Sequence, residues 1–310
     1  MGKTGHRRRT IRTIRTIRTG AVVVALAGAA LAGCSSEPSS LLAEGKIEIG
    51  SKGDQPGTSY SPHDGEFNGF DITVAREVLD RVGVKVKSSD FEGVLSKNRA
   101  RALHDGDVQL VAATYSITEQ RMKPTSEGGD GLDFVGPYAS TRQGVLVRTE
   151  EAKRYKNHSD LNGRLICVWE GTTSAAELKK PAYSLIRTVD MTDAQECVKA
   201  LKEKRVDALS TDQLILYGFM KDDPSITVAH ALTFGPFNDY GIAMAKGHRE
   251  DCKKLQQALM DYAQSNDWDR DFQINLPLVP KKDRDEARPT DDEIERSSCL
   301  DRPSNAKVDG

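Results

Sequence analysis

Short apolar segments alternate with segments of helical period along most of the chain. Apolar or alternating runs predict β-strands at residues 47–49, 84–86, 107–113, 144–147, 165–169, 188–189, 206–209 and 240–245. Apolar residues spaced three to four positions apart predict helices at 70–82, 95–103, 194–201 and 252–265. Because strands and helices alternate, the pattern predicts an α/β fold with a mostly parallel sheet. From residue 280 onward the chain is polar and charge-mixed, which predicts a poorly packed tail.

The N-terminus has the pattern of an export signal. Seven Lys and Arg residues, with no acidic residue among them, precede an apolar segment at 20–33 that is too short to span a bilayer. This segment ends in Leu31-Ala32-Gly33-Cys34, which resembles a bacterial lipobox. The resemblance implies a signal peptide at 1–33, a lipid on Cys34 and a tether at 34–44. The alternative is an ordinary secretory cleavage near a buried cysteine.

Removal of the predicted signal peptide makes the chain clearly acidic. The full chain has a net charge of −2, whereas the remaining 277 residues hold 37 Lys and Arg against 46 Asp and Glu, a net charge of −9. This charge argues against nucleic acid or an anionic membrane surface as a partner. The length favours two lobes or one large domain, and a hydrophobic content of 37% is enough for a buried core.

Residues 111–121 contain the first candidate binding chemistry. An apolar strand stops at the hydroxyl residues Thr114 and Ser116, and Arg121 follows. Ligands of α/β proteins bind beyond the carboxyl ends of strands, and a guanidinium matches a carboxylate with two hydrogen bonds. Two later strand ends again present hydroxyls, and the second adds the carboxylate of Asp212. The alternative is that Ser116 and Thr118 cap the next helix and that Glu119 and Arg121 lie on its solvated face.

Several short blocks occur in the order found in the polar amino-acid substrate-binding proteins of bacterial ABC importers. The blocks are Asp54-Gln55-Pro56-Gly57, Gly69-Phe70-Asp71, Ser96-Lys97-Asn98-Arg99, Thr114-Tyr115-Ser116-Ile117-Thr118 with Arg121, Asp133-Phe134 with Pro137-Tyr138, Gly171-Thr172-Thr173-Ser174, and Val206-Asp207-Ala208 with Thr211-Asp212. Over residues 47–272 the chain therefore resembles this family, bacterial solute-binding protein family 3. The Asp-Gln-Pro-Gly and Asn-Arg blocks are most similar to those of glutamate-binding lipoproteins.

The resemblance implies a type II periplasmic-binding-protein fold. In this fold two α/β lobes are joined by two hinge strands, and the ligand lies in the cleft between the lobes. Lobe 1 would comprise residues 45–139 and 241–279, and lobe 2 residues 140–240. The chain would cross between the lobes near 138–142 and 236–240, and residues 280–310 would form the polar tail.

The resemblance also implies ligand-binding roles for the strand-end residues. Arg121 would bind the α-carboxylate of an amino acid, assisted by the backbone N–H groups of Ser116 and Thr172. Asp212 would pair with the α-ammonium group, and the Thr114 hydroxyl would accept a second ammonium hydrogen bond. The alternative for Asp212 is a capping role at the start of the next helix.

Lys52, Ser96 and Arg99 match positions that meet the side-chain carboxylate in acidic amino-acid binders of the family. Two cations and a hydroxyl at one end of the cleft favour glutamate or aspartate over basic or amide ligands. The alternative is that Arg99 lies on the exposed face of a charged helix. Tyr60 would either stack on the aliphatic part of the ligand or pack on its own loop. Trp169 would either form a wall of the pocket or belong to the core.

Cysteine usage indicates disulfides in an exported protein. Besides Cys34 there are four cysteines, which allow three connectivities. Cys167 lies on a predicted strand and Cys197 on a helix expected to pack near it, whereas Cys252 and Cys299 both belong to the C-terminal part. We therefore expect the pairs Cys167–Cys197 and Cys252–Cys299. The six histidines are scattered, so neither a metal site nor a cofactor is predicted.

These features together predict a lipid-anchored receptor for a free acidic amino acid on the outer face of a bacterial membrane. The chain contains no Walker motif, so transport would require ABC permease subunits and a separate ATPase as partners. The alternatives are a sensor without transport, a receptor for glutamine or asparagine, and a dehydratase on the same fold. A dehydratase requires a general acid with a tuned pKa in the cleft.

Overall fold

The computed structural model describes residues 40–43, 46–63 and 65–301. The predicted signal peptide, Cys34 and most of the tether lie outside these residues, as do residues 302–310. All the described residues belong to one compact unit. None of the helices in the described ranges is long and apolar enough to cross a membrane.

Eleven strands and ten α-helices follow one another in the described part of the chain. The strands are β1 (Ile49–Ser51), β2 (Asp54–Gln55), β3 (Ser59–Tyr60), β4 (Phe91–Gly93), β5 (Leu110–Val111), β6 (Leu132–Arg148), β7 (Leu165–Trp169), β8 (Arg187–Met191), β9 (Ala208–Asp212), β10 (Ile226–Val228) and β11 (Phe234–Ala245). The helices are α1 (Phe70–Arg81), α2 (Arg99–Asp105), α3 (Glu119–Met122), α4 (Thr173–Leu178), α5 (Ala194–Lys202), α6 (Gln213–Met220), α7 (Arg249–Gln264), α8 (Asn266–Asn275), α9 (Lys281–Ala287) and α10 (Asp291–Ser297). Short 3-10 turns include Leu41–Ala43 and Ser96–Asn98.

One nine-stranded sheet runs through the molecule in the order β4-β1-β5-β11-β6-β9-β7-β8, with β10 also paired to β6. Strands β4, β1 and β5 pair in parallel at one end of the sheet. Strands β9, β7 and β8 pair in parallel at the other end. Strands β6 and β11 lie between these groups and pair antiparallel with each other and with their neighbours. The predicted α/β fold is confirmed. We call the part that carries β1, β4 and β5 lobe 1, and the part that carries β7, β8 and β9 lobe 2.

The two long central strands were predicted only in part. Strand β6 has 17 residues and β11 has 12, because the two segments that cross between the lobes pair with each other. Thr141 pairs with Asn238, and Ala139 with Tyr240. A mostly polar crossing segment has no apolar periodicity of its own, so its strand conformation depends on this long-range partner.

One predicted strand was wrong, and one helix was not marked by periodicity. Residues 84–86 pair with no described strand, although Val84 and Val86 pack against the core. The outermost strand of lobe 1 is β4 instead. Helix α6 was expected only in the capping alternative for Asp212. Its sequence shows no helical period because most of its side chains, from Gln213 to Phe219, are buried and the helix is apolar all round.

The predicted poorly packed tail is also wrong for residues 281–301. Helices α9 and α10 pack against β6, and Ala287, Ile294 and Cys299 are buried. The Arg288 guanidinium donates to the backbone carbonyls of Ala263 and Ser265. Arg288 also forms an ion pair with Asp269 at 2.6 Å. The segment is mostly charged in composition, yet it is fixed by these apolar contacts, by Arg288 and by one disulfide.

Both disulfides form in the expected pairing. Cys167 on β7 bonds to Cys197 on α5 in lobe 2, with the Cα atoms 5.6 Å apart. Cys252 on α7 bonds to Cys299, with the Cα atoms 5.8 Å apart. The second disulfide attaches the C-terminal segment to lobe 1.

Candidate ligand-binding site

The ends of strands from both lobes converge on one small cavity. Its lining comprises Gln55, Ser96, Arg99, Thr114, Ser116, Arg121, Trp169, Thr172, Thr173, Thr211, Asp212 and Ile215. Seven of the nine predicted ligand-binding residues are in this set, and they come from segments more than 100 residues apart in the chain. The cavity is narrow, and residues of both lobes wall it. An amino acid therefore enters only when the lobes move apart.

Two buried arginines dominate the lobe 1 wall. Arg99 is 3% exposed and Arg121 is 8% exposed, so neither lies on a solvated helix face. Both guanidinium groups lie over the ring of Tyr115. The guanidinium carbon is 4.0 Å from the ring centre for Arg99 and 4.4 Å for Arg121. Burial, and then the charge of Arg121, lower the pKa of Arg99 to about 10, so it remains charged at neutral pH.

The carbonyl oxygen of Gly171 in lobe 2 accepts a hydrogen bond from each arginine. The distances are 2.9 Å to Arg99 Nη2 and 3.0 Å to Arg121 Nη2. Gly171 has a φ of +79°, and a Cβ atom there would lie 2.6 Å from the backbone of Lys97 in lobe 1. Glycine is therefore required at this position both by its backbone conformation and by the close approach of the lobes.

Asp212 is the carboxylate of the lobe 2 wall. Its oxygens accept hydrogen bonds from Asn238 Nδ2 at 2.5 Å and from Tyr240 Oη at 2.8 Å. Burial raises the pKa of Asp212 to about 6 despite these two donors. Asp212 precedes helix α6, but its side chain makes no capping hydrogen bond, so the capping alternative does not describe its carboxylate.

Thr114 is held in place by a carboxylate that was not among the predicted site residues. Thr114 has a φ of +45°, which is unusual for a β-branched residue. Its N–H donates to Asp71 Oδ2 at 2.7 Å, and Asp71 Oδ1 accepts from Tyr138 Oη. Burial raises the pKa of Asp71 to about 7. Asp71 belongs to one of the recognised blocks, but it does not line the cavity, and the sequence does not show that it positions Thr114.

Gln55 lines the cavity and was also missed as a site residue. Its side-chain oxygen lies 3.0 Å from Thr114 Oγ1. The Thr114 hydroxyl has a second acceptor, the carbonyl oxygen of Ala113 at 2.8 Å. The Asp-Gln-Pro-Gly block was the available signal for this residue.

The structure does not bring Lys52 or Tyr60 to the cavity. Lys52 is 1% exposed, and its Nζ atom lies 3.2 Å from Asp54 Oδ1. The other oxygen of Asp54 accepts the backbone N–H of Ala194 in lobe 2 at 2.8 Å. Lys52 thus supports a contact between the lobes. Tyr60 is half-buried, and its backbone pairs with Asn68 and with strand β2.

Comparison with known proteins identifies the family. Residues 47–273 match the model of the bacterial extracellular solute-binding proteins, family 3. The chain belongs to this family. It is 32% identical to the glutamate-binding protein GluB of Corynebacterium glutamicum, over 76% of this chain and 81% of that protein. It is 31% identical to the glutamine-binding protein GlnH of an ABC transporter of Bacillus subtilis, over 64% of this chain and 69% of that protein.

Solved structures agree with this assignment to the solute-binding proteins of family 3. An ancestral arginine-binding protein bound to arginine superimposes with a TM-score of 0.64 and 27% identity, over 75% of this chain and 98% of that chain. The family match ends at residue 273, so helices α9 and α10 lie beyond it.

Proposed function

We propose that this solute-binding protein is a receptor for an acidic amino acid, glutamate or aspartate, that closes its two lobes around the ligand. The observation that carries the proposal is the charge of the cavity, which two guanidinium groups and one carboxylate line. An acidic amino acid has the complementary set of two carboxylates and one ammonium group. A glutamine ligand would leave one buried cation without an anionic partner, which costs free energy.

The proposed pose assigns each charge of the ligand to one side chain. Arg121 has N–H groups that no described residue accepts, since only Ser116 O and Gly171 O take hydrogen bonds from it. It would bind the α-carboxylate, assisted by the backbone N–H groups of Ser116 and Thr172. Asp212 would pair with the α-ammonium group, with the Thr114 hydroxyl as a second acceptor.

The side-chain carboxylate of the ligand would lie at Arg99 and Ser96. The guanidinium group of Arg99 is fixed by Ser96 O at 3.0 Å and Ala113 O at 3.0 Å, so its charge is held at one place in the lobe 1 wall. Such a fixed cation costs little reorganisation when an anion arrives. Lys52 would act on affinity only through its ion pair with Asp54.

Ligand binding would stabilise the closed arrangement of the lobes. The described closed contacts include the two hydrogen bonds to Gly171 O, the Asp54–Ala194 hydrogen bond and the Lys97–Glu170 ion pair at 2.7 Å. A ligand that touches Arg121 in lobe 1 and Asp212 in lobe 2 has its full set of contacts only when the lobes are closed, so it shifts the population toward that state.

The relatives and the N-terminal sequence support a place for this receptor at the cell surface. The relatives named above are called glutamate- and glutamine-binding proteins, the second of an ABC transporter. With a lipid on Cys34, the receptor would remain on the outer face of the membrane and deliver its amino acid to ABC permease subunits driven by a separate ATPase.

Isothermal titration of residues 35–310 with glutamate, aspartate, glutamine, asparagine and lysine tests the proposal. We expect the acidic ligands to bind most tightly. Arg121→Ala should weaken their binding at least about 150-fold, because two charge-assisted hydrogen bonds contribute roughly 1.5 kcal/mol or more each. Arg99→Gln should shift the preference toward glutamine.

Arg101→Gln is the matched control, because Arg101 lies two residues from Arg99 with a side chain that is 71% exposed. This variant should bind like the wild type. Tight binding of glutamine, with weak or no binding of glutamate, would refute the acidic ligand and leave the family assignment intact.

A further inference from the structure

Trp169 has an unpaired hydrogen-bond donor beside the cavity. It is the last residue of β7, lines the cavity and is 1% exposed. No described residue accepts a hydrogen bond from its Nε1 atom. An indole N–H is only a donor, and buried donors in native proteins nearly always have an acceptor. The other tryptophan of the chain follows this rule, since Trp268 Nε1 donates to Tyr138 O at 2.9 Å.

The backbone of Trp169 is fixed in the lobe 2 wall. Its carbonyl oxygen accepts the Thr172 hydroxyl at 2.7 Å, and the residue pairs with Met191 in β8. Two residues later, the Gly171 carbonyl meets both arginines of lobe 1. Trp169 therefore lines the lobe 2 side of the same cavity whose lobe 1 side carries the two guanidinium groups.

The chemistry of the donor selects the group that it pairs with. An indole N–H repels an ammonium group, so the α-ammonium of the ligand is excluded as its partner. The α-carboxylate is already assigned to Arg121 and two backbone N–H groups. The side-chain carboxylate faces Arg99, which already donates to four backbone carbonyls, those of Ser96, Ala113, Thr114 and Gly171. This carboxylate has more acceptor sites than the remaining N–H groups of Arg99 can fill.

We propose that Trp169 is a specificity-determining residue that donates its indole N–H to the side-chain carboxylate of the bound acidic amino acid. The inference rests on the proposed function and adds the lobe 2 contact that the predicted site lacked. It makes recognition of the side chain dependent on closure, because Arg99 and Trp169 belong to opposite lobes. A ligand without a side-chain acceptor leaves the indole N–H unpaired and gains nothing from it.

The wild-type protein provides the first test, because the chain has only two tryptophans. A proton–nitrogen NMR spectrum therefore shows two indole N–H signals, which Trp169→Phe and Trp268→Phe assign. Saturating glutamate should move the Trp169 signal to lower field, as a new hydrogen bond to an anion requires. Saturating 2-aminobutyrate, which has no side-chain acceptor, should not produce this shift.

Titration of Trp169→Phe provides the second test, since phenylalanine keeps an aromatic ring and removes the donor, although it is smaller than the indole. Affinity for glutamate should fall about ten- to hundred-fold, as expected for a hydrogen bond to a charged group. Affinity for 2-aminobutyrate should stay within about twofold. The unfolding midpoint of the ligand-free variant should fall, because the smaller ring leaves a cavity at a buried position, so the midpoint does not distinguish the two roles and the comparison of the two ligands does.

A purely structural role would weaken the binding of glutamate and of 2-aminobutyrate equally, and this result would overturn the inference. If glutamate binds tightly, but it does not shift the Trp169 signal and Trp169→Phe keeps the wild-type affinity for glutamate, the inference is overturned and the proposed function stands. If the wild type binds no acidic amino acid, both fail.

Discussion

Replacement of Gly171 by alanine tests whether the closed arrangement is the one that binds ligand. The added Cβ would lie 2.6 Å from both the backbone nitrogen and the Cα of Lys97, and 2.8 Å from the carbonyl carbon of Ser96. These are backbone atoms of the opposite lobe, so no side chain can move aside. The lobes have to separate to relieve the clash.

The size of the effect follows from the distances. Retreat to an ordinary contact of roughly 3.4 Å requires about 0.8 Å of separation, which takes the two hydrogen bonds to Gly171 O from 2.9 and 3.0 Å to about 3.7 Å, beyond hydrogen-bonding range. Each is donated by a charged arginine and contributes about 1.5–3 kcal/mol. Loss of both hydrogen bonds, each taken at about 1.5 kcal/mol, destabilises the closed state by about 3 kcal/mol. Because binding requires closure, we expect the glutamate Kd to rise about 150-fold.

Gly163→Ala is the matched control. Gly163 has a φ of +72°, close to that of Gly171, but a Cβ there meets nothing within 4 Å. The unfavourable backbone conformation should therefore cost both variants about 1–2 kcal/mol of unfolding free energy. Titration calorimetry and denaturant unfolding of both variants separate the two effects. If Gly171→Ala keeps the wild-type Kd, the close approach of Gly171 to Lys97 is no part of the binding state and the reasoning is refuted.

Two further predictions concern pH and the C-terminal segment. Burial raises the pKa of Asp212 to about 6 in the ligand-free protein, and pairing with the ammonium group requires the ionised form, so binding releases a proton below this pKa. Glutamate affinity should be constant above about pH 6 and fall about tenfold per pH unit below it, as measured by titration from pH 5 to 8; a flat profile would contradict the Asp212–ammonium pair. Replacement of both Cys252 and Cys299 by serine opens a 47-residue loop and should lower the unfolding free energy by about 4 kcal/mol in denaturant titration. A loss below about 1 kcal/mol would mean that the other contacts of α9 and α10 suffice to hold the segment.

The polar stretches show where prediction from the sequence was incomplete. Arg99 and Lys52 were given the same role by the resemblance to the family, yet Arg99 lines the cavity and Lys52 is paired with Asp54. The difference arises from contacts across the molecule. The Gly171 carbonyl meets Arg99, whereas Asp54 bridges Lys52 to the backbone of Ala194, 140 residues away. Periodicity along the chain contains no information about such pairings.

The resemblance to the family supplied the ligand roles of Ser96, Arg99 and Thr172, and the disulfide pairing was one expectation among three connectivities. The sequence by itself determined the α/β fold, most of its elements and the hydroxyl, cationic and acidic residues at the ends of the apolar runs. These features depend on local periodicity, on where apolar runs stop and on which residue types occur there. Only the tertiary structure decided which cations face the cavity, that residues 281–301 pack on the sheet, and that Trp169 keeps an unpaired donor beside the cavity. Each of these depends on atoms from distant segments, because burial and hydrogen bonding are properties of the assembled neighbourhood rather than of the sequence on either side.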